Sequence, residues 1–294
     1  MILCAGFGTR LRPLTCAIPK PLVPVGRQPA FLHIVDALRQ AGLEPLVINT
    51  HHHAEAFSRV VPPDIRVRYE PRILGTAGGV SNACELLDEG DVLVWNGDVI
   101  AEPDLAAFRA EHDRFKGSGA IATLLAVKRP SGQGTIGVDT TGRLVRIRGE
   151  HFGDELHGGD FIGIQWITNS LRSRLPSEGC LVGDTYLPAL RNGDWIGVCW
   201  HGGQWDDIGS PSGLLQANLR WLDRQRMEQW VHPTAQVAPR VQLQRCIISE
   251  HAHVQGEGVI ESCVVLACAW MRAPERGAII YGNGERIREQ AAPT

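Results

Sequence analysis

Met1-Ile-Leu-Cys-Ala5-Gly-Phe-Gly-Thr-Arg10-Leu-Arg-Pro-Leu-Thr15-Cys-Ala-Ile-Pro-Lys20-Pro-Leu-Val-Pro-Val25 is the stretch from which the rest of the chain is read. Residues 1–4 form an apolar run, which reads as a buried strand. The run breaks into Ala5-Gly6-Phe7-Gly8-Thr9-Arg10. Glycines in a tight loop let main-chain N–H groups approach a ligand, because no Cβ stands in the way. Converging N–H groups make an anion nest. Arg10 and Arg12 add fixed positive charge, and Arg pairs with phosphate in bidentate geometry. Lys20 is held between Pro19 and Pro21, which stiffen the backbone on both sides. A strand, a glycine loop and three cations predict a phosphate site. The Gly-x4-Gly-Lys-Ser/Thr of a P-loop is absent, and Leu11 stands where a dinucleotide fingerprint has its third glycine.

Working outward, apolar runs alternate with helical patterns. Phe31, Ile34, Val35 and Leu38 form a helical stripe that ends at Gly42, and 46–50 reads as the next strand. Residues 65–70 alternate as a strand, and 91–98 is an apolar run ending in Asp98. Further strands are expected at 120–127, 136–138, 144–147 and 195–200, with helices at 103–113 and 212–229. The pattern predicts an α/β fold: a Rossmann-like mixed, mostly parallel sheet with helices on both faces. In such sheets ligands sit at the carboxyl ends of strands. His51-His52-His53 reads as a polar loop, because adjacent side chains diverge and make a poor metal cluster.

Composition narrows the function. The 294 residues, 44% hydrophobic, suit one large domain with a small appendage. A formal net charge of −3 argues against nucleic acid or an anionic membrane as the partner. No apolar run approaches the roughly 18 residues of a spanning helix. The N-terminus shows no basic leader or cleavage site. Eight scattered cysteines without a Cys-x-x-Cys pair signal neither zinc nor a disulfide framework, so a reduced, cytoplasmic protein is expected.

Three later stretches carry chemistry. Leu74-Gly-Thr-Ala-Gly-Gly79 precedes a helical run expected at 80–87, and its main chain is open to a flat ring or an anion. Asp98 at a strand tip is a natural Mg²⁺ ligand, since Mg²⁺ is held by one or two carboxylates plus substrate phosphates. Trp205-Asp-Asp-Ile-Gly-Ser-Pro211 sets paired acids before a long helix, which suggests a second metal-binding point.

Gly6-x-Gly8-Thr-Arg-Leu-Arg-Pro-Leu-Thr15, followed by Pro19-Lys-Pro-Leu22, resembles the signature of the sugar-1-phosphate nucleotidylyltransferases, also called NDP-sugar pyrophosphorylases. The resemblance covers about residues 1–222 and the tail. It implies a reaction of an NTP with a sugar 1-phosphate, giving an NDP-sugar and pyrophosphate. Main-chain groups at Ala5, Gly6, Gly8 and Thr9 would hold the triphosphate. Arg10 would neutralise charge on the leaving pyrophosphate, and Lys20 would bridge the sugar phosphate and the α-phosphate. Gly78 and Gly79 would hold the base, with Glu70 near the base-contacting strand end. Asp98 and Asp207 would hold Mg²⁺; Asp206 falls in the variable slot of the Trp-x-Asp-Ile-Gly-Thr-Pro string. Gly137 would contact the sugar. One branch of the family carries Phe-x-Glu-Lys-Pro, where this chain has Ile147-Arg-Gly-Glu150-His151. Glu150 would replace the acid, and Arg146 or Arg148 the lysine. Guanylyl transfer to mannose 1-phosphate and uridylyl transfer to a muramate- or hexosamine-like sugar both remain open, as does a catalytically silent, nucleotide-sensing subunit.

The tail changes period. Val231, Val237 and Leu243 are six apart, and after a slip of one so are Ile248, Val254, Ile260 and Leu266. A six-residue period marks a parallel β-helix. The resemblance implies a left-handed one; its short span predicts two or three coils, and the tail suggests a homo-oligomer. Domains are expected at 1–229 and 230–294, with the charged segment after Arg272 capping the helix and then fraying. His251 and His253 raise an acyltransferase, but such enzymes need longer arrays.

Overall fold

A computed structural model describes residues 1–288; the end of the segment after Arg272, where fraying is expected, falls at 289–294 outside the described residues. The chain divides into two compact units, Met1–Gly6 with Ile34–Trp205, and Phe7–His33 with the chain from Asp206 onward.

The first unit is built on a ten-stranded sheet. Its strands are β1 (Ile2–Leu3), β2 (Val47–Thr50), β3 (Arg66–Tyr69), β4 (Val92–Asn96), β5 (Ala122–Arg129), β6 (Ile136–Val138), β7 (Leu144–Ile147), β8 (Glu150–His151), β9 (His157–Ile167) and β10 (Ile196–Trp200). The order is β8-β7-β6-β9-β4-β1-β2-β3, and β5 also pairs with β9 and carries β10. β1 pairs in parallel with β2 and β4, and β3 continues that parallel set. β9 runs against β4, β5 and β6. Only β7 shares the direction of β9, so eight of the ten strands point one way. The expected mostly parallel α/β sheet is present in that sense.

Four helices matter here: α1 (Ala30–Gln40), α2 (Gly75–Asn82), α3 (Leu105–Gly117) and α4 (Pro211–Arg224). Phe31, Ile34, Val35 and Leu38 are buried along α1, as their spacing requires. β1 steps outward to β2, whereas the connection from β3 through α2 steps back across the sheet to β4. Parallel crossovers share one hand, so steps in opposite directions put their helices on opposite faces. α2 starts at Gly75, five residues earlier than the expected run at 80–87, so its glycines lie inside the helix. Asp104 caps α3, its carboxylate accepting from Ala107 N.

The second unit holds the tail. Trp230 faces Ile247 and Ile247 faces Val264, in parallel, so each turn takes 17 residues. Two six-residue steps and one five-residue step account for that turn. The next turn is shorter, with Val264 facing Ile279. Three short sheets result, as in a three-faced parallel β-helix. The slip recurs after Ile260, so Val265 rather than Leu266 takes the register of Ile248 and Ile280. The end is closed by an antiparallel pair, Ile279–Tyr281 with Glu285–Ile287. There Glu275 binds Arg286 and Arg288, the charged cap that was expected. At the other end Trp221 of α4 meets Trp230 edge to face, 6.2 Å between centroids, with Arg27 over both rings.

Ile260 is fully buried among neighbouring coils. Ile260→Ala is expected to destabilise the tail by about 2–5 kcal/mol, read as a lower urea midpoint.

Candidate active site

In the first unit the carboxyl ends of β1, β2, β3 and β4 meet. The N–H of Cys4, just past β1, donates to Asn49 Oδ1 at 2.7 Å. Asn49 Nδ2 donates to Glu70 Oε1 at 2.7 Å. The other oxygen of Glu70 accepts from Leu74 N at 3.1 Å, at the start of α2. Glu70 has 0% of its surface exposed. Its oxygens serve Asn49 and Leu74, and a buried carboxylate cannot leave such partners cheaply. Glu70 thereby braces the start of α2.

Ala5 is buried and Gly6 exposed, with open space where a Cβ of Gly6 would stand. The glycines of α2 are there for close packing. A Cβ on Gly79 would lie 2.7 Å from Asn49 Nδ2 and 3.0 Å from Glu70 Oε1. A Cβ on Gly78 would lie 2.7 Å from Ser177 O. Ala77 N donates to Gly179 O at 2.9 Å, and Leu181 N to Thr76 Oγ1 at 2.7 Å, so the 177–181 segment is tied to the start of α2.

Asp98 follows a turn pressed onto the end of β1. Gly97 N donates to Leu3 O at 2.9 Å, and a Cβ on Gly97 would come within 2.9 Å of Cys4 Sγ. Burial first, and then the nearby Asp98 charge, push the Cys4 thiol well up. A half-buried carboxylate thus stands at the strand ends, a hard-oxygen ligand of the kind Mg²⁺ takes.

The second unit assembles three charges. Gly8 adopts φ 62°, and a Cβ there would meet Thr15 Cγ2 at 2.9 Å. Thr15 Oγ1 donates to Gly8 O at 2.8 Å, fixing the loop. Thr9 and Arg10 follow in a single turn of 3₁₀ helix, both exposed. Lys20 opens another, Lys20–Leu22, and its side chain is only 10% exposed. Asp207 Oδ1 accepts from Gly209 N at 2.7 Å and lies 4.0 Å from Lys20 Nζ; Oδ2 lies 3.7 Å from Arg10 Nη2. A Cβ on Gly209 would fall 2.6 Å from both Lys20 Nζ and Asp207 Oδ1, and against the Arg10 guanidinium. Two cations and one acid meet around one backbone point, and such cations suit a polyphosphate. Asp207 is 40% exposed and held by long ion pairs, so it has room to accept a metal. Asp206 points the other way, buried against Arg220 and Arg224 of α4. Burial raises its carboxyl pKa, and the two arginines oppose that shift. Ser210 caps α4 by accepting from Gly213 N.

Gly137 and Glu150 sit on β6 and β8, toward the far edge of the sheet. At Gly137 a Cβ would strike the Glu155 carboxylate. Glu155 pairs with Arg146 at 2.6 Å, and that guanidinium holds its carboxyl below the usual range. Arg146 also donates to the carbonyls of Gln133, Gly134 and Ile136. It is a strut, which removes it as a replacement for the missing lysine. Glu150 binds Arg191, with Arg191 Nε 2.9 Å from Oε2. Arg148 reaches Cys180 Sγ at 3.6 Å, beside the 177–181 segment.

Among the described residues one further group, Asp91, His112 and Asp113, has metal-like spacing. Asp91 accepts from Lys116 at 2.6 Å and Asn169 N at 2.9 Å, and Asp113 from Arg109, so these donors serve internal partners. The sequence reading missed Asn49 and Gly209. The signal at Asn49 was an amide inside a buried strand, which must find a partner.

The sheet defines an α/β protein, and the charged loops of the second unit suit an anion. The Nucleotidyl transferase family matches residues 1–150, and the chain belongs to that family. Mannose-1-phosphate guanyltransferase of Schizosaccharomyces pombe is 30% identical over 77% of this chain, which spans 65% of that relative's length. The mannose-1-phosphate guanylyltransferase catalytic subunit beta of Danio rerio is 26% identical over 90% of this chain and 85% of its own. The fold is shared with HddC from Yersinia pseudotuberculosis, solved with GMP-PN: TM-score 0.61 at 21% identity, covering 75% of this chain and 97% of that one. No helix among the described residues is long and apolar enough to cross a membrane.

Gly209→Ala is expected to displace Arg10 and Lys20 and weaken binding of inorganic pyrophosphate on the order of tenfold or more. Calorimetric titration reads this, with an unchanged circular dichroism spectrum as the control.

Proposed function

We propose that the protein transfers a nucleotidyl group from an NTP to a sugar 1-phosphate, releasing pyrophosphate. The convergence of Arg10, Lys20 and Asp207 on Gly209 is the observation that carries this reading. The similarity to mannose-1-phosphate guanylyltransferases favours GTP and mannose 1-phosphate as the pair.

The nucleophile, a sugar phosphate oxygen, is already an anion and needs no general base. It attacks the α-phosphorus in line, and pyrophosphate leaves. The protein's task is positioning and neutralisation of charge. Main-chain groups at Ala5, Gly6, Gly8 and Thr9 hold the triphosphate. Arg10 meets the charge that grows on the leaving pyrophosphate. Lys20, stiffened by its prolines, bridges the sugar phosphate and the α-phosphate. The segment at Gly78 and Gly79 receives the base, and Gly137 and Glu150 lie on the strands assigned to the sugar. Asp98 on the first unit and Asp207 on the second are each assigned to Mg²⁺. When bound, that ion screens repulsion between the two phosphate-bearing substrates. Residues 1–229 act as the catalytic part and 230–294 as a β-helix appendage of a cytoplasmic homo-oligomer.

Pyrophosphate release is measured with Mg²⁺, the NTPs and a panel of sugar 1-phosphates. Release with one pair, GTP with mannose 1-phosphate foremost, is expected. Arg10→Ala and Asp207→Ala should each lower turnover by about a hundredfold or more. NTP binding without release for any pair would favour a nucleotide-sensing subunit instead.

A further inference from the structure

Cys4 N–H and Leu74 N–H each require an acceptor, and one buried side-chain pair supplies both. Asn49 Oδ1 takes Cys4 N, Asn49 Nδ2 donates to Glu70 Oε1, and Glu70 Oε2 takes Leu74 N. His51 Nδ1 adds a contact of 2.8 Å to Glu70 O. Asn49 and Glu70 are 2% and 0% exposed. Gly79 lies against both, where any Cβ would push them apart.

We infer that Asn49 and Glu70 are positioning residues that lock the Cys4–Ala5–Gly6 strand end to the start of α2. The inference rests on the nucleotide reading of those two segments. The segments are far apart in sequence, and nucleotide binding needs them in one arrangement. Burial makes the tie all-or-none, because an unpaired buried polar group is costly. For one amide and one ionised acid, two hydrogen-bond polarities satisfy every group. One is the native amide at 49 and acid at 70. The other is their exchange, with an acid at 49 accepting from Cys4 N and from an amide at 70, whose oxygen accepts from Leu74 N. Asn49→Asp alone sets two carboxyls 2.7 Å apart, which keep the tie only by taking up and sharing a proton. Glu70→Gln alone leaves one donor facing another, whichever way the amide turns.

The test compares the full chain with N49D, E70Q and N49D/E70Q. Each is read by KM for the NTP, by kcat, and by hydrogen exchange of peptides containing Cys4 and Leu74. Each single variant is expected to raise KM for the NTP on the order of tenfold or more, with a smaller change in kcat. Both peptides should exchange faster in the single variants. The double variant should return KM to within about threefold of the native value and restore protection of both peptides. A double variant no better than the worse single variant would overturn the tie. So would restored protection with KM still raised, which would make Glu70 a direct base contact. Normal KM in the single variants despite faster exchange would reduce the pair to a structural role. If the native chain turns over no NTP at all, the proposed reaction fails. Hydrogen exchange then still decides the tie: unchanged exchange in the single variants refutes it, and loss followed by recovery in the double variant upholds it.

Discussion

A side chain at residue 209 would displace the charges around it. Arg10, Lys20 and Asp207 crowd the space a Cβ would occupy, and Gly209 N holds the Asp207 carboxylate in place. Two cations that close repel each other, and an acid between them makes the arrangement tolerable. The ion pairs are long, 3.7 and 4.0 Å, and the acid is partly exposed. Such a cluster is balanced without being closed, so incoming phosphates can gather the cations and a metal can take the acid. Much of the surrounding chain serves this point. Thr15 pins Gly8, Pro19 and Pro21 flank Lys20, Ser210 starts α4, and Asp206 is anchored by Arg220 and Arg224.

The first unit solves a different problem. Parallel strands bring their carboxyl ends together, but they also bury polar backbone there. Asn49 and Glu70 satisfy those groups, and the glycines of α2 let helix, strand ends and the 177–181 segment come within contact distance. Glycine in a helix interior costs about 0.5–1 kcal/mol relative to alanine. Here close packing requires it, because alanine at 78 or 79 would collide with its neighbours.

Local pattern made much of this legible. The apolar run at 1–4, the stripe of α1 and the alternation of strands placed the α/β sheet before any coordinates. The six-residue period marked the β-helix, and the slip of one was visible as the five-residue step. What local pattern does not encode is who meets whom. Glu70 looks like any polar strand end until Asn49 and Leu74 close on it. Arg146 reads as a spare cation until Glu155 and three carbonyls claim it. The glycines at 75, 78 and 79 read as a loop, but lie in a helix on which 177–179 packs at 75 and 78, and Asn49 and Glu70 at 79. Likewise, nothing in the order of residues indicates that Phe7–His33 groups with the chain after Asp206.

The most direct measurement follows the label. The protein is given a sugar 1-phosphate with NTP labelled at either the α- or the γ-phosphorus, and products are separated. Nucleotidyl transfer predicts the α-label in the sugar nucleotide and the γ-label in pyrophosphate. A γ-label on the sugar, or an α-label left in free nucleotide while pyrophosphate is released, would contradict the account.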